Sequence, residues 1–427
     1  MTKRVIVAHY HELWLKGGNR KFFLGKLLAA VRATLEDLDL QRVTLPVDRV
    51  VIELGEGAPL EEARCRLERV FGVAFYAVAR PVERGGAQPM EEICRAAWEE
   101  VAAEKFATFA VRAKRSDKSF PHSVMEIEST VGKFLLERLR EAGREARVQL
   151  REPELTCRIE IPPGPALVYA RKIPGAGGLP ANTAGRMMCL LSGGFDSAVA
   201  AYKMMKRGAH LSFVHFWGGG ARPGEGSVHV ARELVRRLVP YQFTAKLYAV
   251  PFEAIQREIV GQAPETYRIL LYRRMMLRIA ERLARADHAL GIVAGDSLGQ
   301  VASQTLHNMV AVGDAVRMPV FRPLAGDDKQ EILEIAKKIG TYEISAEPFH
   351  DCCPIFMPRT PALHALAEEL DRAEARMDVA ALVARGAESA VRERYRYAGG
   401  RVELIDETRS RAGIAAEKSE ASRAPVH

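Results

Sequence analysis

The chain has 427 residues, 48% apolar and 27% charged, and its 62 Lys and Arg against 54 Asp and Glu give a formal charge of +8. This is globular material for two to four domains of about 100 to 200 residues each, and every apolar run is far shorter than the roughly 18 residues a spanning helix needs. Membrane and secreted classes are therefore argued against, a cytoplasmic location is expected, and the basic balance points to a polyanionic partner.

In chain order, strand-like runs at 5–8, 49–54 and 74–79 alternate with helical patterns at 21–38 and 60–70. A further strand near Val43 brings residues 1–81 close to a ferredoxin-like order. Residues 82–172 predict a helix at 90–106, a strand at 108–113, an amphipathic helix at 123–142 and short strands ending at 168–170, a second small α+β domain. Two prolines and three glycines between Lys172 and Pro180 break both periodicities, so 173–184 is expected to be a linker. From 185 to 396, buried strands at 189–191, 211–216 and 289–294 alternate with helices, as in an α/β doubly wound parallel sheet that binds ligands at the strands' carboxyl ends. The Ala-, Arg- and Glu-rich end is expected to be helical to about Arg396, and 397–427 to be a disordered tail.

Six cysteines are too few for a disulfide framework. Cys65, Cys94, Cys157 and Cys189 read as small core residues, whereas Cys352 and Cys353 stand side by side in a polar, proline-bounded loop. No Cys-x-x-Cys occurs, which argues against zinc and a thioredoxin-type site.

Ser192-Gly193-Gly194-Phe195-Asp196-Ser197 lies between the 189–191 strand and a helix at 198–207. Glycines let backbone N–H groups crowd a phosphate, serines add donors, and the helix N-terminus adds a positive dipole end. An anion site is expected there, although a capped tight turn is the simpler alternative. Neither Gly-x4-Gly-Lys-Ser/Thr nor Gly-x-Gly-x-x-Gly is present. Asp196, itself an anion, would share Mg²⁺ with phosphate oxygens, orient donors, or merely cap the helix.

The string resembles the PP-loop of ATP pyrophosphatases. Further segments extend the likeness: 10–20 (Tyr10-His11-Glu12 onward), 111–121 with Arg112-Ala113-Lys114-Arg115, 150–155, 272–278, 295–306 beginning Gly295-Asp296-Ser297, and Asp351-Cys352-Cys353-Pro354-Ile355-Phe356. Together, from about residue 5 to about 360, they resemble the tRNA 4-thiouridine synthetase family, with ferredoxin-like, THUMP and PP-loop domains in that order.

The resemblance implies ATP contacts at Leu190, Leu191, Ser192, Gly193, Gly194, Ser197, His215, Phe216, Arg273, Gly295 and Gln304. His215 and Phe216 are equally readable as core, and Arg273 as a solvated helix residue. Where relatives often differ, this chain has Trp217-Gly218-Gly219-Gly220. It also implies RNA contacts at Arg112, Lys114, Arg115 and Lys118, with Lys16 and Arg20 a weaker second patch that helix capping explains almost as well.

By the same likeness uridine O4, commonly at position 8, attacks the α-phosphate of ATP, and a persulfide sulfur then displaces AMP. Cys353 fits the family's sulfur-handling cysteine better than Cys352. No cysteine follows Cys353, so a C-terminal rhodanese domain is not expected. Implied partners are tRNA, a cysteine desulfurase as persulfide donor, a sulfur-carrier protein and a second copy of the chain as a homodimer. Sulfur transfer for thiazole synthesis, an amidating ligase, and an RNA-binding module with a vestigial ATP site are the competing readings.

Overall fold

The computed structural model describes residues 3–218, 226–347 and 361–409. The chain separates into two compact units, 1–180 and 181–427.

In the first unit the strands are β1 (Val5–His9), β2 (Leu40–Thr44), β3 (Arg49–Leu54), β4 (Phe75–Val82), β5 (Thr108–Arg115), β6 (Arg147–Val148), β7 (Leu155–Ile161), β8 (Ala166–Tyr169) and β9 (Ile173–Pro174). They form one sheet in the order β2-β3-β1-β4-β8-β7-β5-β6, with β9 also on β4. The two small domains read from sequence thus share a strand: β4 pairs with β1 through Ala79 and with β8 from Arg80 onward. Helices Arg20–Leu35 and Leu60–Leu67 serve the first half; Pro89–Val101 and Val124–Glu141 serve the second. Val124–Glu141 starts in a capping box between Ser123 and Glu126 and buries Ile127, Val131, Leu135 and Leu139, spaced to fall on one helix face.

The stretch expected to be a linker over 173–184 is instead packed through Pro180. β9 pairs with β4, and Gly177 N–H donates to the Val73 carbonyl at 2.8 Å. At Gly175 a Cβ would fall 2.3 Å from the Val73 carbonyl oxygen, so only glycine fits there. Cys94 and Cys157 are core residues as expected, but Cys65 is exposed.

In the second unit the strands are β10 (Arg186–Leu190), β11 (His210–Trp217), β12 (Thr244–Pro251), β13 (Ile292–Val293), β14 (Val320–Phe321), β15 (Val391–Ala398) and β16 (Arg401–Arg409), ordered β14-β13-β10-β11-β12-β15-β16. The first five are mutually parallel, and β15 and β16 are antiparallel. The sheet is therefore mixed, and the expected helix to Arg396 and tail from 397 give way at Val391–Arg409 to a β-hairpin. From β10 the chain steps through β11 to β12, then crosses back to β13 on β10's other side. That reversal opens a crevice at the carboxyl ends of β10 and β13.

A buried ion cluster holds the first unit's halves together. Glu160 on β7 lies 2.5 Å from the fully buried Arg49 on β3 and 2.9 Å from His9 on β1, and Tyr169 donates to it at 2.6 Å. Burial alone would raise the Glu160 pKa, but His9, Arg49 and Tyr169 outweigh it and hold the carboxyl at about 2. Since the folded value lies below the ordinary 4.5, this stabilisation is full above that pH and is lost as pH falls toward 2. Glu160→Gln should lower the first unit's stability at neutral pH by about 3 to 5 kcal/mol in denaturant titrations, because it strands a buried guanidinium. The variant should also lose less stability than the parent between pH 5 and pH 3.

Candidate functional site: a phosphate loop at the crevice

β10 ends at Leu190, and the next residues turn sharply into helix Phe195–Lys206, whose N-cap is Gly194. The Ser197 hydroxyl, 4% exposed, ties this turn to itself. It accepts from Ser192 N–H at 3.1 Å and lies within donating distance of the Ser192 and Gly194 carbonyls, while Ser192 Oγ accepts from Gly194 N–H at 3.2 Å. Ser197 therefore shapes the loop, and Ser192, whose hydroxyl also lies 3.1 Å from that of Ser197, is the exposed serine of the two.

The loop borders a cavity of about 580 Å³ at the crevice. Of the residues expected at a nucleotide site, Leu190, Leu191, Ser192, Asp196, Ser197, Phe216, Arg273, Gly295 and Gln304 line it. Gly193 and Gly194 lie in the loop at its edge. His215 does not line it: 1% exposed, it is 2.8 Å from the Leu191 carbonyl and 2.9 Å from Ser227 Oγ. It anchors the end of the strand from behind. Phe216, Met276, Val214 and Leu277 give one wall an apolar face, and the Gln304 Oε1 atom is buried without a hydrogen-bond partner among the described residues.

Gly295, just past β13, earns its place by steric necessity rather than by closeness to a ligand. A Cβ there would lie 2.8 Å from Ser197 N and 2.9 Å from Ser197 Cα. The segment after β13 can rest on the first turn of the loop's helix only with hydrogen at that position.

Sequence reading missed the site's ion pairs. Asp196 accepts from Lys329 Nζ at 2.7 Å and from Gln300 Nε2 at 3.2 Å. Asp296, 5% exposed, is clamped between Arg273 and Arg322, the latter at 3.1 Å. Arg273 also donates to the Ser303 carbonyl at 3.2 Å and hydroxyl at 3.1 Å, so it is fixed in the site and not solvated. Asp296 stands in the 295–306 segment, but its buried pairing has no sequence signal; Lys329 and Arg322 come from a distant stretch with no local motif. No group of three or more His, Cys, Asp and Glu suited to a metal occurs among the described residues. Cys352 and Cys353 lie outside the described residues; Cys189 is fully buried, which pushes its thiol up to about 12.

The cationic candidates fall in the first unit. Arg112 and Lys114 line a second cavity of about 290 Å³ together with Arg158, Lys172, Trp14 and Phe75. Burial and the charge of Arg158 lower the Lys172 pKa, and Lys172 sits 4.0 Å over Phe75. Arg20 stacks on Trp14 at 3.7 Å and donates to Tyr10 at 3.1 Å. Lys16 lies 5.0 Å from the Phe23 ring, and Lys118 is exposed. Arg115 turns inward to the Phe120 and His122 carbonyls, both at 3.0 Å, and is a structural residue of its loop.

Comparison with known proteins gives these features a lineage. Three family models match: a ThiI ferredoxin-like domain over 5–77, a THUMP domain over 88–170 and the thiamine biosynthesis protein (ThiI) model over 182–379. A probable tRNA sulfurtransferase of Thermus thermophilus is 42% identical over 385 residues, spanning 90% of this chain and 92% of that protein. The chain belongs to the tRNA sulfurtransferase family. A second relative, also described as a probable tRNA sulfurtransferase, from Caldanaerobacter subterraneus, is 39% identical over 88% of this chain and 96% of its own length. Among solved structures, a 4-thiouridine synthetase–RNA complex with bound ATP matches with a TM-score of 0.80 and 31% identity, covering 95% of this chain and all of that one. The family's fold order, ferredoxin-like, THUMP and PP-loop, is the one expected from sequence.

Gly295→Ala should destabilise the second unit by about 1 to 3 kcal/mol, since the new methyl meets backbone on the loop side. Hydrogen exchange should show the Ser192–Ser197 turn loosening while the first unit's amides are unchanged. Unaltered protection in that turn would contradict the close packing.

Proposed function

We propose that this protein is an ATP-dependent tRNA sulfurtransferase that adenylates a uridine, position 8 by family likeness, and converts it to 4-thiouridine. The observation that carries the reading is the crevice cavity, which combines a phosphate loop at a helix N-terminus, fixed cations and an apolar wall in one space. Those are the three demands of a nucleoside triphosphate: donors for phosphate, charge neutralisation, and a surface for a base. The relative solved with RNA and bound ATP supports the same assignment.

In this reading adenine lies against Phe216 and Met276, and its exocyclic amine or a ribose hydroxyl satisfies Gln304 Oε1. The phosphates lie at the N-terminal turn of helix Phe195–Lys206, beside the Gly193 N–H and the Ser192 side chain. Lys329 is within reach of Asp196 and can turn toward the triphosphate, and Arg273 and Arg322, held by Asp296, keep positive charge at the rim. Asp196 also suits a Mg²⁺ ion, which is commonly held by one or two carboxylates plus phosphate oxygens. Such an ion would supply charge neutralisation on the pyrophosphate. Arg112, Lys114, Arg158 and the exposed Trp14 provide the cations and stacking surface that an RNA backbone and unstacked bases require.

Uridine O4 attacks the α-phosphorus, the bond to the bridging oxygen breaks, and pyrophosphate departs. The terminal sulfur of a persulfide then attacks C4, and AMP leaves with the former O4. Breaking the remaining S–S bond needs a second thiol, which becomes half of a disulfide and is reset by an external thiol reductant. We assign sulfur handling to Cys353 and resolution to Cys352. In the sequence Cys353 stands eight positions before Pro361, which lines the cavity. A cysteine desulfurase would supply the persulfide. The thiamine biosynthesis description of the matching model favours a second acceptor, a sulfur-carrier protein for thiazole synthesis.

Cys353→Ser should retain ATP-dependent adenylation of tRNA in single turnover while 4-thiouridine formation falls by about 100-fold or more, because a hydroxyl can neither carry nor cleave a persulfide. Cys352→Ser should be rescued by dithiothreitol. Thiolation by Cys353→Ser at the parent rate, with a desulfurase as donor, would overturn the assignment.

A further inference from the structure

At the sheet edge opposite the crevice, β10, β11 and β12 begin at Arg186, His210 and Thr244. Beside them, where helix Arg268–Ala286 ends at Asp287, is a recess of about 360 Å³. Its floor is polar: Asp287, 4% exposed, caps the helix, accepts from the Ser212 hydroxyl and pairs with Lys246. Its rim carries Arg186, Arg392 and Arg394. Register places Lys246 opposite Arg394 across the β12–β15 pair.

The charges do not balance. Four cations face two carboxylates: Lys246 is spent on Asp287, and Arg392 and Arg394 share Asp406 at 3.9 and 3.2 Å. Arg186 has no ion pair among the described residues, and Arg392 Nε is buried without a hydrogen-bond partner. His210 turns its Nδ1 to Asn182 Oδ1 at 2.7 Å, and Asn182 Nδ2 donates to the Gln242 carbonyl. That chain fixes Nδ1 as the donor and leaves Nε2 without a hydrogen-bond partner among the described residues. Guanidinium forks around a concave floor suit a tetrahedral oxyanion.

We propose that this recess binds a compact phosphate-bearing anion, such as a free phosphate monoester or diphosphate, through Arg186, Arg394 and His210 Nε2. A small anion is favoured over an RNA strand because the half-buried imidazole lies within a recess, where Lys246 neutralises Asp287. Burial, then the charges of Arg186 and Lys246, hold the His210 pKa down at about 4, with Asp287 opposing. A bound phosphate anion reverses that balance by accepting a hydrogen bond from the protonated Nε2, so its binding is coupled to protonation of His210 at mildly acidic pH.

The test is a histidine-resolved NMR titration of the full chain with inorganic phosphate at constant ionic strength, with ATP present to occupy the crevice. His210 is assigned by its absence in His210→Gln. The expected result is a rise of about one pH unit or more in the His210 midpoint at phosphate concentrations up to about 10 mM. The Arg186→Ala/Arg394→Ala variant should require at least about tenfold more phosphate. No movement of His210, or an equal response in the double variant, would overturn the proposal. A shift produced by acceptor-stem RNA but not by phosphate would overturn the small-anion source as well.

Discussion

The site depends on one close approach, the backbone at Gly295 against the first turn of the phosphate loop's helix. Parallel strands β10 and β13 are neighbours because the chain reverses direction across the sheet, and two segments leave their carboxyl ends side by side. One segment supplies the loop and Asp196. The other supplies Asp296, Ser303 and Gln304. Without a side chain at 295 the two rest on each other at van der Waals distance, and the cavity has a rigid corner. The Ser197 hydroxyl completes that corner by fixing the turn internally, which leaves its remaining N–H groups oriented before any anion arrives.

Charge in the crevice is arranged in pairs that a ligand can compete for. Lys329 rests on Asp196 at the surface, where it is 46% exposed and the pair is weak, so a triphosphate can draw the ammonium away at little cost. Asp296 is buried between two guanidiniums, and the three together make a net positive group held in a fixed arrangement. The difference separates a movable cation from a fixed electrostatic scaffold. The first unit uses the same device deeper in its core, where Arg49, Glu160, His9 and Tyr169 join strands of its two halves.

Much of this was legible in the sequence because the relevant signals are local. The phosphate loop needs glycines and serines at fixed spacing between a strand and a helix, and the string at 192–197 states that spacing directly. Pairings between remote segments have no such signature. Lys329 meets Asp196 across 133 positions, and nothing near either residue encodes it. His215 was readable as contact or core, and its two hydrogen bonds behind the strand make it core. The hairpin at Val391–Arg409 was hidden by composition. Ala, Arg and Glu favour helix on average, but Glu393, Tyr395 and Tyr397 alternate with Arg392, Arg394 and Arg396, and that period of two buries one face, where Glu393 and Tyr395 meet Arg232 and Arg236 of helix Ser227–Leu238. The packed segment at 173–180 misled for the opposite reason: its glycines serve close strand contact rather than a flexible linker.

In the proposed reaction the crevice joins uridine O4 to the α-phosphorus of ATP before sulfur arrives. That step is tested most directly with tRNA carrying oxygen-18 at O4 of the target uridine, turned over once with unlabelled ATP and a persulfide donor. Mass spectrometry of the released nucleotide should find one labelled oxygen in AMP for each 4-thiouridine formed, and none in pyrophosphate. Label appearing in water or in pyrophosphate, with unlabelled AMP, would contradict the account.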